Sequence, residues 1–259
     1  MTSQATIANI KAYNNAMKKS MFDKLFFLAD TEDCHSYLDY GCADGTTLRI
    51  LAETIPDAKL FGYDINSDQI DLASKNVPQA FLTTAWDRLA PKIDFPETTV
   101  ICSSLIHEVY AYGDEESIYN FWWDIFHNDF KYVVIRDMSV SNKVSRKADA
   151  VTIAKVIGNS DQKMLAEFES VYGSISDQRN LVHWLLKYRY TNNWERELKE
   201  DYLKLSHEGL MQAITNRAGY EIVSYEHYVL PFLRKQVKQD FGISLQDNTH
   251  TKIIMERTF

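Results

Sequence analysis

A chain of 259 residues, 45% hydrophobic and 25% charged, has the composition of an ordinary soluble globular protein and room for one large α/β domain or a core with an insertion. The net charge of −8 argues against a protein whose main task is gripping a phosphate backbone, although a local basic patch would still admit RNA. No apolar run approaches the roughly 18 residues of a membrane span, and the start lacks a secretory apolar stretch. Three cysteines, at 34, 42 and 102, make neither a disulfide framework nor a paired metal motif, so a reducing cytoplasm is expected.

Residues 5–29 carry an amphipathic helical pattern built on Ile7, Ile10, Met17, Met21, Leu25 and Phe26. From 36 to 137 the pattern alternates. Strand 36–40 leads to helix 47–55, strand 59–64 and helix 67–76, the last opened by an Asn66–Gln69 capping pair. Strands follow at 80–83, 98–103 and 132–135, with a helix at 115–128 bearing Ile118, Phe121, Trp122 and Ile125. Continuous apolar strands alternating with helices predict a mostly parallel sheet covered on both faces, with ligands outside the carboxyl ends of its strands. Residues 138–203 break the rhythm with helical patterns only, which reads as an inserted cap. Helix 206–218 and strands 221–229 and 251–257 restore the core, with a helix-bearing excursion at 230–248 starting at Pro231.

The stretch Asp39-Tyr40-Gly41-Cys42-Ala43-Asp44-Gly45 joins the first strand to its helix. A turn poor in side chains at a helix N-terminus lets a ligand reach bare N–H groups. A dinucleotide fingerprint would need glycine at 41, 43 and 46, but 43 is Ala and 46 is Thr. The pattern D-x-G-x-A-x-G instead resembles the first motif of the class I S-adenosylmethionine (SAM)-dependent methyltransferases, and Tyr63-Asp64-Ile65-Asn66 resembles their acidic second motif, its carboxylate 19 residues beyond Gly45. The likeness covers about 36–137 and 205–258. It implies a seven-stranded, mostly parallel Rossmann-like sheet, with SAM as cofactor and S-adenosylhomocysteine (SAH) as product. The implied organisation is an N-terminal helical segment (1–35), a core (36–137 and 204–259) and an acceptor-binding cap (138–203).

The same resemblance sets the site. Asp39, Gly41, Cys42, Ala43 and Gly45 would surround the methionine portion. Asp64, with Asn66 beside it, would hold the ribose, and Ile65 would lie on the adenine. For the third motif the chain offers Ala85, Trp86 and Asp87, with either Trp86 on adenine or Asp87 in the polar role. The leading helix often closes over the cofactor in this family, so Tyr13 and Met17 are candidates for contact, against a plain packing role.

Ser103 closes the strand 98–103, where the resemblance places a contact to the cofactor, and the segment beyond it contains Ile106-His107-Glu108-Val109-Tyr110. His107 is the candidate general base, because an unperturbed imidazole titrates near neutrality. Glu108 would orient it or contact the substrate, and Tyr110 would hydrogen-bond the acceptor; the bland reading is a histidine that only packs or binds. Arg136-Asp137 either bind an anionic acceptor or pair with each other. His183, Trp184, Arg189 and Trp194 either stack a planar acceptor or form the core of the cap. No metal constellation is visible. The expected function is methyl transfer to O or N of a small molecule under the cap. The alternatives are an RNA methyltransferase, using basic residues at 131–147 and 234–238, and a non-catalytic SAM-binding partner subunit.

Overall fold

The computed structural model describes residues 21–258 apart from 216, so the helical pattern before Met21, with Tyr13 and Met17, lies outside the described residues. The elements that build the core are α1 (Met21–Lys24), β1 (Ser36–Tyr40), α2 (Thr46–Thr54), β2 (Lys59–Tyr63), α3 (Ser67–Asn76), β3 (Phe81–Thr83), α4 (Trp86–Leu89), β4 (Thr99–Ser103), α5 (Ile106–Tyr112), α6 (Glu115–His127) and β5 (Tyr132–Met138). The insertion holds α7 (Ala150–Asn159), α8 (Gln162–Tyr172), α9 (Gln178–Lys187) and α10 (Trp194–Lys199). The chain closes with α11 (His207–Ile214), β6 (Tyr220–Tyr228), α12 (Pro231–Phe241) and β7 (His250–Arg257). Among the described residues, no helix is long and apolar enough to cross a membrane.

One seven-stranded sheet runs β3-β2-β1-β4-β5-β7-β6. The first five strands in that order are parallel, and β7 is antiparallel to both β5 and β6. The α/β reading of the sequence holds, as a seven-stranded and mostly parallel sheet. The strands are apolar on both faces because both are covered: Leu38, Val100, Val133 and Ile135 pack with α6 and α11 residues, while Tyr37, Leu60, Ile101 and Val134 pack with Leu48 and Leu51 of α2. Asn66 caps α3 as its spacing predicts, its side chain accepting from the N–H groups of Asp68 and Gln69.

Two elements differ from the sequence pattern, and both bear on the site. First, β5 runs on through Arg136, Asp137 and Met138, which pair with Lys252, Thr251 and His250 of β7. The strand tolerates Arg136 and Asp137 because their side chains find partners inside the protein. Second, α5 has no local signature: Leu105, at its N-cap, makes no side-chain cap bond. Its free N–H groups are met instead by Asp137, from β5, whose Oδ2 accepts from the N–H groups of Leu105 (3.0 Å), Ile106 (2.5 Å) and His107 (3.2 Å).

The insertion is built from short helices, three of them capped by aspartates (Asp149, Asp161 and Asp177). Val156, Leu165, Phe168, Leu181 and Leu185 share one apolar cluster with Leu233, Val237 and Phe241 of α12. The insertion therefore packs on the segment that returns to β7.

Candidate active site

At the carboxyl end of β1 the chain turns through Gly41 (φ +88°), Ala43 (φ +46°) and Gly45 (φ +73°), left-handed conformations that favour glycine. Gly41 and Cys42 both donate to the carbonyl of Tyr63, at 2.7 and 3.0 Å, which ties the turn to the end of β2. A Cβ on Gly45 would stand 3.0 Å from Ala73 and Val77 of the α3 segment, and one on Gly41 would meet Leu105 at 2.8 Å. The second contact matters for chemistry: the segment leading into α5 lies directly against the glycine turn.

Asp64 follows β2 with its carboxylate facing the turn; Oδ2 accepts from Ala43 N–H and Oδ1 from Asn66 N–H, both at 2.9 Å. Burial raises its pKa, while these two bonds oppose the rise. Ile65, next in the chain, is 59% exposed. Ala85 N–H donates to the Thr83 hydroxyl, Trp86 packs against Tyr40 and Tyr63 at 5.4 and 5.8 Å between ring centroids, and Asp87 faces outward. Ser103 is buried, and its hydroxyl has no hydrogen-bond partner among the described residues.

Asp39 is buried with Lys24 of α1 among its charged neighbours. Burial drives the Asp39 carboxyl up to about 7, and burial with Arg136 nearby draws the Lys24 ammonium down to about 8. The preceding residue of the same turn, Asp23, binds Arg136 (2.8 Å), Lys252 (2.7 Å) and the Tyr228 hydroxyl (2.5 Å), fastening α1 over β5, β7 and β6.

His107 is buried, 6% exposed. Its Nδ1 lies 2.6 Å from Asp137 Oδ1 and its Nε2 lies 3.0 Å from Glu200 Oε1. Glu200 comes from the insertion, just past α10. Burial alone would lower the imidazole's pKa, but the two carboxylates outweigh it and carry it to about 10. Burial pushes both acids the other way; the His107 charge, with hydrogen bonds, holds Asp137 and Glu200 below their ordinary values. The group as it stands is an imidazolium between two carboxylates, not an imidazole titrating near neutrality as the sequence suggested.

Glu108 does not orient His107. It pairs with Arg196 of α10 at 2.8 Å, and the same guanidinium reaches Glu200 at 3.0 Å. Donor atoms of His107, Glu108 and Glu200 approach within 4.8 Å of one another, and the Arg196 guanidinium supplies positive charge there. The Tyr112 hydroxyl donates to Glu200 (3.2 Å), while that of Tyr110 accepts from Trp122 Nε1 (3.0 Å).

Arg136 and Asp137 take separate partners, Asp23 and His107, rather than each other. His183 and Trp184 are buried inside the insertion against Phe168, with Trp184 Nε1 on Ser160. Trp194 donates to Glu167, and the Arg189 guanidinium lies 4.8 Å over Phe232. Three of them pack within the insertion and Arg189 packs against α12; the His183 ring also lies 6.0 Å from that of Tyr202, which stands 5.2 Å from His107. Asp137 and Glu200 as the partners of His107, and Arg196 as the partner of Glu108, are not legible in the sequence; no local spacing links residues 30 to 93 positions apart.

A family model described as a methyltransferase domain matches residues 13–225. No curated protein matches the sequence. Solved structures that resemble the fold include the plantazolicin methyltransferase BpumL in complex with a triazolic desmethylPZN analogue and SAH (12% identity, 96% of this chain, 90% of that chain, TM-score 0.51). A second is the plantazolicin methyltransferase BamL with a triazolic analogue and SAH (11% identity, 96% and 88%, TM-score 0.50). A third is the pyocyanin biosynthetic protein PhzM (12% identity, 95% of this chain but 57% of that chain, TM-score 0.54). At such identity the likeness speaks to the fold. With the domain match spanning most of its length and this sheet order beneath it, the chain belongs to the class I, Rossmann-like SAM-dependent methyltransferases.

Proposed function

We propose that the chain transfers the methyl group of SAM to an oxygen or nitrogen of a small-molecule acceptor held between α5 and the 138–203 insertion, with His107 taking up the acceptor's proton. The observation that carries this reading is the His107 imidazole: buried, fixed through Nδ1 by Asp137, and turned with Nε2 toward a carboxylate of the insertion. Residues 36–137 and 204–259 serve as the cofactor-binding core in this reading, and 138–203 as the acceptor cap.

The glycine turn fits SAM. Bare backbone at Gly41 and Gly45, the half-buried Asp64 carboxylate, the exposed Ile65 face and the orphan Ser103 hydroxyl together offer a ribose acceptor, an adenine platform and an unused polar group. SAM brings a methyl already activated by its sulfonium charge, so the chain's own work is alignment and proton removal.

Glu200 stands on the Nε2 side of His107, where an acceptor hydroxyl or amine would enter. Its entry parts Nε2 from Glu200. As it withdraws, the Glu200 carboxylate takes the Nε2 proton; burial then favours the neutral imidazole, and Asp137 keeps the other proton on Nδ1. Nε2 is then the free lone pair that accepts the proton.

RNA has less to draw on as the acceptor. Lys131 pairs with Asp33 at 2.8 Å, Arg136 is buried on Asp23 and Arg146 pairs with Asp247 at 2.9 Å. RNA binding followed through a salt titration is expected to be absent even at low salt; a steep salt-dependent affinity would favour RNA. The function itself is tested by incubating the chain alone with SAM and a panel of small hydroxyl and amine acceptors. SAH formation with a product heavier by one methyl group is expected. SAM binding without turnover across the panel would favour a non-catalytic partner subunit.

A further inference from the structure

Lys187, at the end of α9, is fully buried, yet no step described above uses it. A lysine is seldom buried without partners, because its ammonium must be compensated for the water it loses. Here the partners are specific. Nζ donates to the carbonyl of Glu197 at 2.5 Å and to the carbonyl of Glu200. It lies 3.5 Å from the Tyr202 ring centroid, 5.7 Å from that of Tyr172 and 4.0 Å from Glu197 Oε2. Both carbonyls belong to the carboxyl end of α10, where the last C=O groups of a helix have no partner within it. A cation at that end satisfies two of them and complements the helix dipole. Glu200 is the residue that terminates α10, and its carboxylate is the one on His107 Nε2.

We infer that Lys187 is a positioning residue for His107: by holding the carbonyls of Glu197 and Glu200, its ammonium fixes the Glu200 carboxylate against the imidazole. The inference rests on the proposed role of His107. Tyr202, which the ammonium covers, also stands edge-on to His107 at 5.2 Å, so one side chain braces both the end of α10 and the wall beside the imidazole. The charged and titratable groups around His107 are Asp137 from β5, Glu200 and Arg196 from the α10 segment, Glu108 on its own helix, Tyr202 beyond α10 and His250 from β7.

The test reads the pKa of His107 directly, in the full chain without acceptor, by NMR of carbon-13-labelled histidine, with the resonance assigned by its loss in His107→Gln. Burial draws the Lys187 amine down to about 8, so while His107 titrates near 10 its Nζ is a neutral donor to the two carbonyls. Losing the side chain then acts on the imidazole through the Glu200 carboxylate, and losing a positioned carboxylate lowers its pKa. Wild type is expected to titrate at about 10, and Glu200→Gln to titrate lower. Lys187→Met is expected to fall by about 1 unit or more, in the direction of Glu200→Gln. Lys187→Gln, which keeps one donor and loses the charge, is expected to fall in the same direction and serves if the methionine variant does not fold. An unchanged or raised value in the Lys187 variants, with Glu200→Gln still lowered, overturns the positioning role alone. A wild-type value near that of a free histidine, unmoved by Glu200→Gln, overturns the reading of His107 on which it depends.

Discussion

Replacing His107 by Gln is expected to lower kcat for methyl transfer by about 10²–10⁴-fold while leaving SAM affinity within about twofold. Glutamine can still bridge Asp137 and Glu200 by hydrogen bonds but cannot take a proton from the acceptor. Single-turnover kinetics with saturating SAM, paired with calorimetry of SAM binding, separates the two effects. The wild-type rate should rise with pH, because the imidazole must be neutral to act and its two carboxylates hold the proton on to about 10 before acceptor enters. A variant with wild-type kcat would return His107 to a packing role.

Asp137→Asn is expected to have the largest effect on stability, about 3–5 kcal/mol, the cost of breaking a buried charge pair by removing one partner. The carboxylate is fully enclosed and serves two elements at once: it accepts from three N–H groups at the start of α5 and holds His107 Nδ1 at 2.6 Å. An amide can replace part of the acceptor capacity but not the charge. The pH dependence has a definite sign. Asp137 has a folded pKa below 3.8, so its contribution is present above that value and lost as pH falls through the folded value. His107 has a folded pKa of about 10 against an ordinary 6.5, so its contribution is full below 6.5 and is lost as pH rises toward 10. The gap in thermal stability between wild type and variant should therefore be widest between pH 3.8 and 6.5 and narrow toward pH 10. Melting curves that coincide across that range would contradict the buried pair.

The strand–turn–helix from 36 to 54 is legible in the chain because its signals are local. Apolar residues run to Asp39, glycines stand where φ is positive, and the helix begins at Thr46. The cap on α3 is legible for the same reason, since Asn66 bonds the N–H groups two and three residues on. The start of α5 is not. Its capping acid, Asp137, arrives from a strand 30 residues away, and nothing near Leu105 announces a helix. The same distance hides the partners of His107. A histidine followed by a glutamate reads as an oriented base, yet Glu108 turns to Arg196, and the orienting carboxylates come from β5 and from the insertion. Aromatic residues at helical spacing are legible as a buried face, but their use is not: His183 and Trp184 face Phe168 inside the insertion. Periodicity tells which side of a helix is covered; the covering surface is known only once the chain is folded.

In the proposed reading the cofactor lies across the turn after β1 with its sugar held by Asp64. Calorimetric titration of SAM and SAH into wild type, Asp64→Ala and Gly45→Val tests it without knowledge of the acceptor. Wild type should bind both. Asp64→Ala should weaken binding about 10–100-fold, the loss of hydrogen bonds to a charged group. Gly45→Val should lose it further, because φ +73° and a Cβ 3.0 Å from Ala73 and Val77 force the turn open. Equal uptake by all three proteins, or no uptake by wild type, would contradict the account.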